Sequence, residues 1–121
     1  MFCQIAGALH QDGENLSGLN AVVIQPGKID RSPCGTGLCA RMAVLHAKGQ
    51  MQIGDKLISR SIINSRFEGE IVKPTKVGEI DAIMPTVSGR GWITGTHQHT
   101  LDPTDPWPEG YRISDTWPIK L

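Results

Sequence analysis

Lys28-Ile29-Asp30-Arg31-Ser32-Pro33-Cys34-Gly35-Thr36-Gly37-Leu38-Cys39-Ala40-Arg41-Met42-Ala43-Val44-Leu45-His46-Ala47-Lys48-Gly49 is the stretch on which the fold turns. Asp30 to Gly37 reads as a loop and the remainder as a helix. Leu38, Ala40, Met42, Ala43, Val44, Leu45 and Ala47 leave that helix almost no polar face, the pattern of a buried one. Pro33 steers Ser32 away from helical backbone, so the helix is expected to begin near Thr36. Gly49, after Lys48, is its stop signal.

This placement has chemical consequences. Cys34 stands beside the unpaired backbone N–H groups of a helix start, where the helix dipole favours negative charge. A thiolate is stabilised there, which predicts a reactive cysteine. The same N–H groups of Gly35 and Thr36 can cradle a carboxylate or phosphate, and Gly35 and Gly37 allow close approach of a ligand. Structural alternatives exist for each: Cys34 as an inert core thiol, Thr36 as an ordinary helix cap, Asp30 as a turn-capping carboxylate.

Working outward, Met1 to Leu9 reads as a strand start, and Asp12-Gly13 marks a turn. Ala21 to Ile24 is a short β run ended by Pro26-Gly27 and leading into the loop. After the helix, Gln52 to Asp55 reads as a turn and Lys56 to Ile63 as a partly alternating strand. Phe67 to Lys73 follows as a second strand, with Lys73-Pro74-Thr75-Lys76 as its turn. Val77 to Met84 and Gly91 to Thr100 are the third and fourth, joined through Pro85 and Ser88-Gly89. Short connections imply mainly antiparallel neighbours. The proline-rich residues 102–121 are expected to be irregular, anchored by Trp107, Tyr111 and Trp117. The fold class is therefore α+β, a curved, mainly antiparallel sheet around one central helix, in a single domain over 1–121.

The bulk properties narrow the function. The 121 residues carry twelve basic and twelve acidic side chains. No basic patch argues for nucleic acid and no cationic amphipathic helix for a membrane surface. Residues 1–12 have no basic start and no long apolar region, so no signal peptide is expected. The three cysteines, Cys3, Cys34 and Cys39, form no disulfide framework, making a reducing cytoplasm the default. His97 and His99 lie two apart on the expected fourth strand and share a face, yet no third ligand is placed, so no metal is expected. His10, His46, Cys39 and the tryptophans Trp92, Trp107 and Trp117 read as loop, packing or interface residues.

Asp30-Arg31-Ser32-Pro33-Cys34-Gly35-Thr36-Gly37, followed by Ala40-Arg41-Met42, closely resembles the second active-site motif of the proline racemase family, which includes 4-hydroxyproline 2-epimerases and trans-3-hydroxyproline dehydratases. The resemblance continues through Gly78-Glu79-Ile80-Asp81-Ala82-Ile83, Thr94-Gly95 and Leu101-Asp102-Pro103-Thr104-Asp105-Pro106 and covers most of the chain. One departure is Leu38-Cys39, where many relatives carry Thr-Ser; it is read as a change of helix packing rather than of chemistry.

The resemblance implies one lobe of the diaminopimelate-epimerase-like fold, the C-terminal lobe of two. No Met-Cys-Gly-His motif of the other lobe occurs here, so the N-terminal lobe is expected to be absent, an apolar face exposed, and the chain prone to self-association. It further implies that Cys34 is catalytic, exchanging the Cα proton of proline or a hydroxyproline. Gly35 and Thr36 would bind the substrate carboxylate and Asp30 its amino nitrogen, with no cofactor. The partner thiol would come from the other lobe, leaving this chain inactive alone. The tail points to 4-hydroxyproline. Two alternatives stand beside this reading: a trans-3-hydroxyproline dehydratase, whose members often lack the Cys34 thiol, and a non-catalytic lobe that binds small carboxylates or pairs with a separate subunit.

Overall fold

The computed structural model describes residues 2–111, which fall into two compact units divided between Gly91 and Trp92. The first contains every regular element among the described residues: β1 (Phe2–Asp12), β2 (Asn15–Ile24), β3 (Lys28–Ile29), α1 (Gly35–Ala47), β4 (Lys56–Arg60), β5 (Arg66–Val77) and β6 (Ile80–Gly89). They form one six-stranded sheet in the order β1-β2-β4-β5-β6, with β3 paired to β2. Every pairing is antiparallel except β2 with β4, which run parallel with α1 as the crossover between them. The architecture is the α+β one expected.

α1 begins one residue earlier than expected, and its end is defined by hydrogen bonds. The Gly49 N–H donates to His46 O and the Gln50 N–H to Leu45 O, both at 2.9 Å, with Gly49 at φ 70°. This is a Schellman ending, and the left-handed residue it requires is the glycine. His46 Nδ1 lies 2.8 Å from Met51 O and ties the next segment back to the helix. The apolar surface of α1 is buried along one stripe, Leu38, Met42 and Leu45. These pack with Met51, Leu57 of β4 and Ile71 of β5 into the core. Thr36, Ala40, Val44 and Ala47 remain exposed, so a helix that reads as apolar all round is covered here on one face. β4 is covered on both faces: Leu57 belongs to this core, and Ile58 is also buried.

Three sequence expectations are corrected. The turn placed at residues 73–76 lies instead at Gly78-Glu79, with Val77 paired to Ile80 and Gly78 at φ 61°. Pro74 stays within β5 because the β4 pairing ends at Glu70, leaving that side of β5 open, where a missing N–H costs no ladder bond. Pro85 likewise lies inside β6, an edge strand, opposite Ile71 and next to a register shift. The strand expected over residues 91–100 is absent; glycines at 91 and 95 interrupt the β-prone run, and Ile93 is 93% exposed.

In the second unit, residues 102–107 form side-chain-capped turns. Asp102 Oδ1 accepts from the Thr104 N–H and hydroxyl, and Asp105 Oδ1 from the Trp107 N–H. These bonds, the Thr104 N–H foremost, hold the Asp102 carboxyl below the ordinary aspartate range. Trp107 and Tyr111 meet edge-on at 6.1 Å, and both are exposed, so they pack on each other rather than into a core. Trp117 lies outside the described residues.

Packing of α1 on the sheet depends on the absence of a side chain at Gly69 of β5. A Cβ there would lie 2.7 Å from Met42 Sδ and 3.1 Å from Leu38 Cγ. Gly69→Ala is expected to lower stability by about 1–3 kcal/mol through overpacking, read as a shift of the urea midpoint at unchanged slope. An unshifted midpoint would mean that the helix has slack at this contact.

Candidate functional site

The loop entering α1 is held by a succession of short bonds. The Asp30 N–H donates to Val22 O at 2.9 Å, which fastens the loop to β2. Asp30 Oδ1 then accepts the Ser32 N–H at 2.9 Å, and Ser32 Oγ accepts the Cys34 N–H at 3.1 Å. The side chain of Asp30 thus forms an Asx turn, the role its residue type suggests without any ligand. Across from it, Ser65 Oγ donates to Arg31 O at 2.8 Å and pairs with Ser61 Oγ at 2.7 Å.

Beneath the loop lies a buried polar chain. Asn20 Nδ2 donates to Pro33 O at 2.9 Å, and Ser59 Oγ donates to Asn20 Oδ1. Asn20 and Ser59 are 2% and 1% exposed. Buried polar groups cost free energy unless paired, so this chain holds firmly once formed. Pro33, itself buried, is thereby fixed to β2 and β4.

The result of these restraints is Cys34 as the helix N-cap at φ 61°, ψ 111°. A non-glycine residue at such angles costs about 1–3 kcal/mol and persists only where its surroundings over-determine it. Cys34 Sγ accepts the Gly37 N–H at 3.4 Å, and Cys34 O accepts the Leu38 N–H at 2.9 Å. The remaining N–H groups of the first turn, Gly35 and Thr36, take no hydrogen-bond partner among the described residues. The thiol therefore sits beside two available donors at the positive end of the helix.

Cys34 opens onto a cavity of about 300 Å³. Thr36 and Gly37 share its helix side, and Phe2, Gln4 and Val22 form its strand side. Of the four residues singled out in the sequence, Cys34 and Thr36 line this cavity; Gly35 lies between them in the chain, and Asp30 is not part of the wall. Phe2, Gln4 and Val22 were not identified from the sequence. They belong to strands placed against the helix by the sheet, and nothing in their local sequence marks them.

Arg41 fixes the neighbouring strand. Its Nη2 donates to Gly7 O at 2.5 Å, at the β1 bulge between Ala6 and Leu9. The guanidinium crosses Gly18, where a Cβ would come within 2.8 Å of Nη1. Burial pushes the Arg41 pKa down. The other two cysteines differ from Cys34. Cys3 is exposed on β1. Cys39 lies on α1 against the core; burial, with negative charge at Cys34 as a lesser cause, pushes its thiol up. Among the described residues no three His, Cys, Asp or Glu side chains converge as a metal site. His97 and His99 have ring centroids 6.4 Å apart, outside any strand. No described helix is long and apolar enough to cross a membrane.

With this geometry in place, comparison with known proteins is informative. Among solved structures, a hydroxyproline epimerase from Agrobacterium vitis with bound trans-4-hydroxy-L-proline is 37% identical, with a TM-score of 0.67 over 98% of this chain. A probable proline racemase from Agrobacterium radiobacter K84 with bound carbonate is 40% identical, with a TM-score of 0.70 over 96% of this chain. This chain spans 33% of the length of each. The sequence profile of the proline racemase family matches residues 1–112, nearly the whole of it, and the chain belongs to that family.

Proposed function

We propose that this chain is the thiol-bearing, carboxylate-binding lobe of a cofactor-independent epimerase acting at Cα of proline or hydroxyproline, 4-hydroxyproline foremost. The observation that carries the proposal is the N-cap thiol of Cys34 beside the unpartnered N–H groups of Gly35 and Thr36 at a cavity of about 300 Å³. Kinship with a hydroxyproline epimerase supports the substrate class.

In this reading the substrate carboxylate rests on the Gly35 and Thr36 N–H groups, with the Thr36 hydroxyl in reach. Binding there withdraws charge from Cα and lowers the cost of the carbanion. Cys34, as thiolate, takes the Cα proton; the C–H electron pair stays on carbon and Sγ becomes S–H. A second thiol, from a lobe of the Met-Cys-Gly-His type, delivers its own proton to the opposite face. The stereocentre inverts, and the two sulfurs exchange protonation states. The Gly37 N–H donates to Sγ and holds it at the helix start. Asp30 has Oδ1 engaged by Ser32 and would use Oδ2 for the substrate nitrogen.

Cysteine reactivity gives one test. Iodoacetamide attacks the thiolate, so a raised pKa moves the onset of labelling to higher pH. Peptide mapping across pH is expected to find Cys34 labelled first and Cys39 last. Equal rates at all three cysteines would refute the special character of Cys34.

Catalysis gives the other. In a two-lobed protein, or on mixing with a separately expressed partner lobe, Cys34→Ser is expected to lower kcat by about 10²–10⁴. Asp30→Asn preserves the acceptor for the Ser32 N–H while removing the charge, and is expected to raise KM about tenfold. Solvent deuterium is expected at Cα of the product. Undiminished epimerisation by Cys34→Ser would overturn the mechanism.

A further inference from the structure

Arg41 carries a charge that the proposed chemistry leaves unused. Its guanidinium lies over Gly18 of β2, where a Cβ would fall 2.8 Å from Nη1 and 3.1 Å from Nη2. Nη1 is shielded from solvent and has no hydrogen-bond partner among the described residues. No carboxylate among the described residues pairs with it. A guanidinium placed in this way gives up hydration without a counter-ion to compensate. What it does make is the bond from Nη2 to Gly7 O.

Gly7 lies where β1 departs from regular pairing. Ala6 pairs with Asn20 and Leu9 with Gly18, so Gly7 and Ala8 together stand opposite Leu19. A two-against-one bulge changes which residues face which side of the sheet. Before it, Phe2 and Gln4 face the cavity; after it, Leu9 faces the core beside α1. Without the bulge, the first half of β1 would slip by one residue, pairing Ile5 with Val22 and Cys3 with Ile24. Cys3 and Ile5 would then take the places of Phe2 and Gln4 in the wall. Burial does little to choose between the two registers, since Phe2 is 74% exposed and Ile5 62%. β1 is also an edge strand, paired on one side alone.

We infer that Arg41 is a positioning residue that locks the register of β1 by holding the Gly7 carbonyl in the bulge. The inference deepens the proposed function and rests on it for the catalytic meaning of the wall. A charged donor on a carbonyl gives a strong bond, and it reaches β1 from the same helix whose first turn carries Cys34. The thiol and the wall opposite it are thereby set by one element.

The test reads the register by NMR in the isotope-labelled chain with no amino acid added. Cross-strand NOEs to the Val22 methyl groups are expected from Gln4 in the native chain and from Ile5 in Arg41→Met. A bifunctional thiol reagent followed by peptide mapping is expected to bridge Cys3 to Cys34 in Arg41→Met and not in the native chain. Deletion of Gly7 leaves Ala8 alone opposite Leu19, so both halves of β1 keep their facing with no bulge to hold. In that background Arg41→Met is expected to retain the Gln4 contact. In a two-lobed protein Arg41→Met is expected to lower kcat/KM about 10²-fold through displacement of the wall, and deletion of Gly7 to recover most of the loss. A folded Arg41→Met chain in the native register overturns the inference. So does a Gly7-deleted Arg41→Met chain that slips or fails to fold, because Arg41 would then serve more than the bulge. Slippage with undiminished kcat/KM overturns the positioning role. A native two-lobed protein that epimerises neither proline nor 4-hydroxyproline overturns the proposed function, and the register lock is still judged by the NMR result alone.

Discussion

The carboxamide of Asn20 fixes the position of everything at the mouth of the cavity. It donates to the Pro33 carbonyl and accepts from Ser59, so it joins the loop, β2 and β4 in one buried hydrogen-bonded chain. Little water reaches this chain, and a broken bond in it would leave a desolvated polar group unpaired. That penalty makes the loop conformation nearly all-or-none. Pro33 cannot drift, so Cys34 cannot relax toward ordinary backbone angles, and Sγ stays at the first turn of α1.

The topology serves the same end. β2 and β4 lie side by side and parallel, so the chain must leave the sheet and return, and the loop and α1 are that excursion. The strand that delivers the chain to the loop is also the one carrying Asn20. The strand that receives it carries Ser59. Both ends of the crossover therefore clamp its start. β1, added outside β2 and bulged at Gly7, brings Phe2 and Gln4 opposite the helix start and completes the cavity.

What could be read from the sequence was what local chemistry dictates. Pro33 and Gly49 bracket the helix within a residue or so, and Cys34 at its start follows from that bracket alone. The Gln52–Asp55 turn and the Asp12-Gly13 turn were equally plain. The parallel pairing of β2 with β4 was hidden, because Leu16 to Leu19 and Leu57 to Arg60 lie far apart in the chain and their register is set by the sheet. Pro74 and Pro85 misled because their tolerance depends on which strand edge is open, a tertiary fact. Gln4 was invisible for the same reason: only the folded sheet brings it over Gly37, thirty-three positions later. Asp30 shows a different limit. Its turn role is visible in both sequence and structure, whereas a role toward substrate came from resemblance.

The backbone of Cys34 sets an opposition between durability and chemistry. At φ 61°, ψ 111° a glycine, lacking Cβ, would be less strained than any other residue, and a cysteine there is held under tension. Random exploration of this position under pressure for heat resistance alone would therefore drift toward glycine and discard the sulfur. If the sulfur is needed for chemistry, selection must hold a thiol here against the preference of the chain. A lineage released from that selection would be expected to lose the sulfur early while keeping the fold.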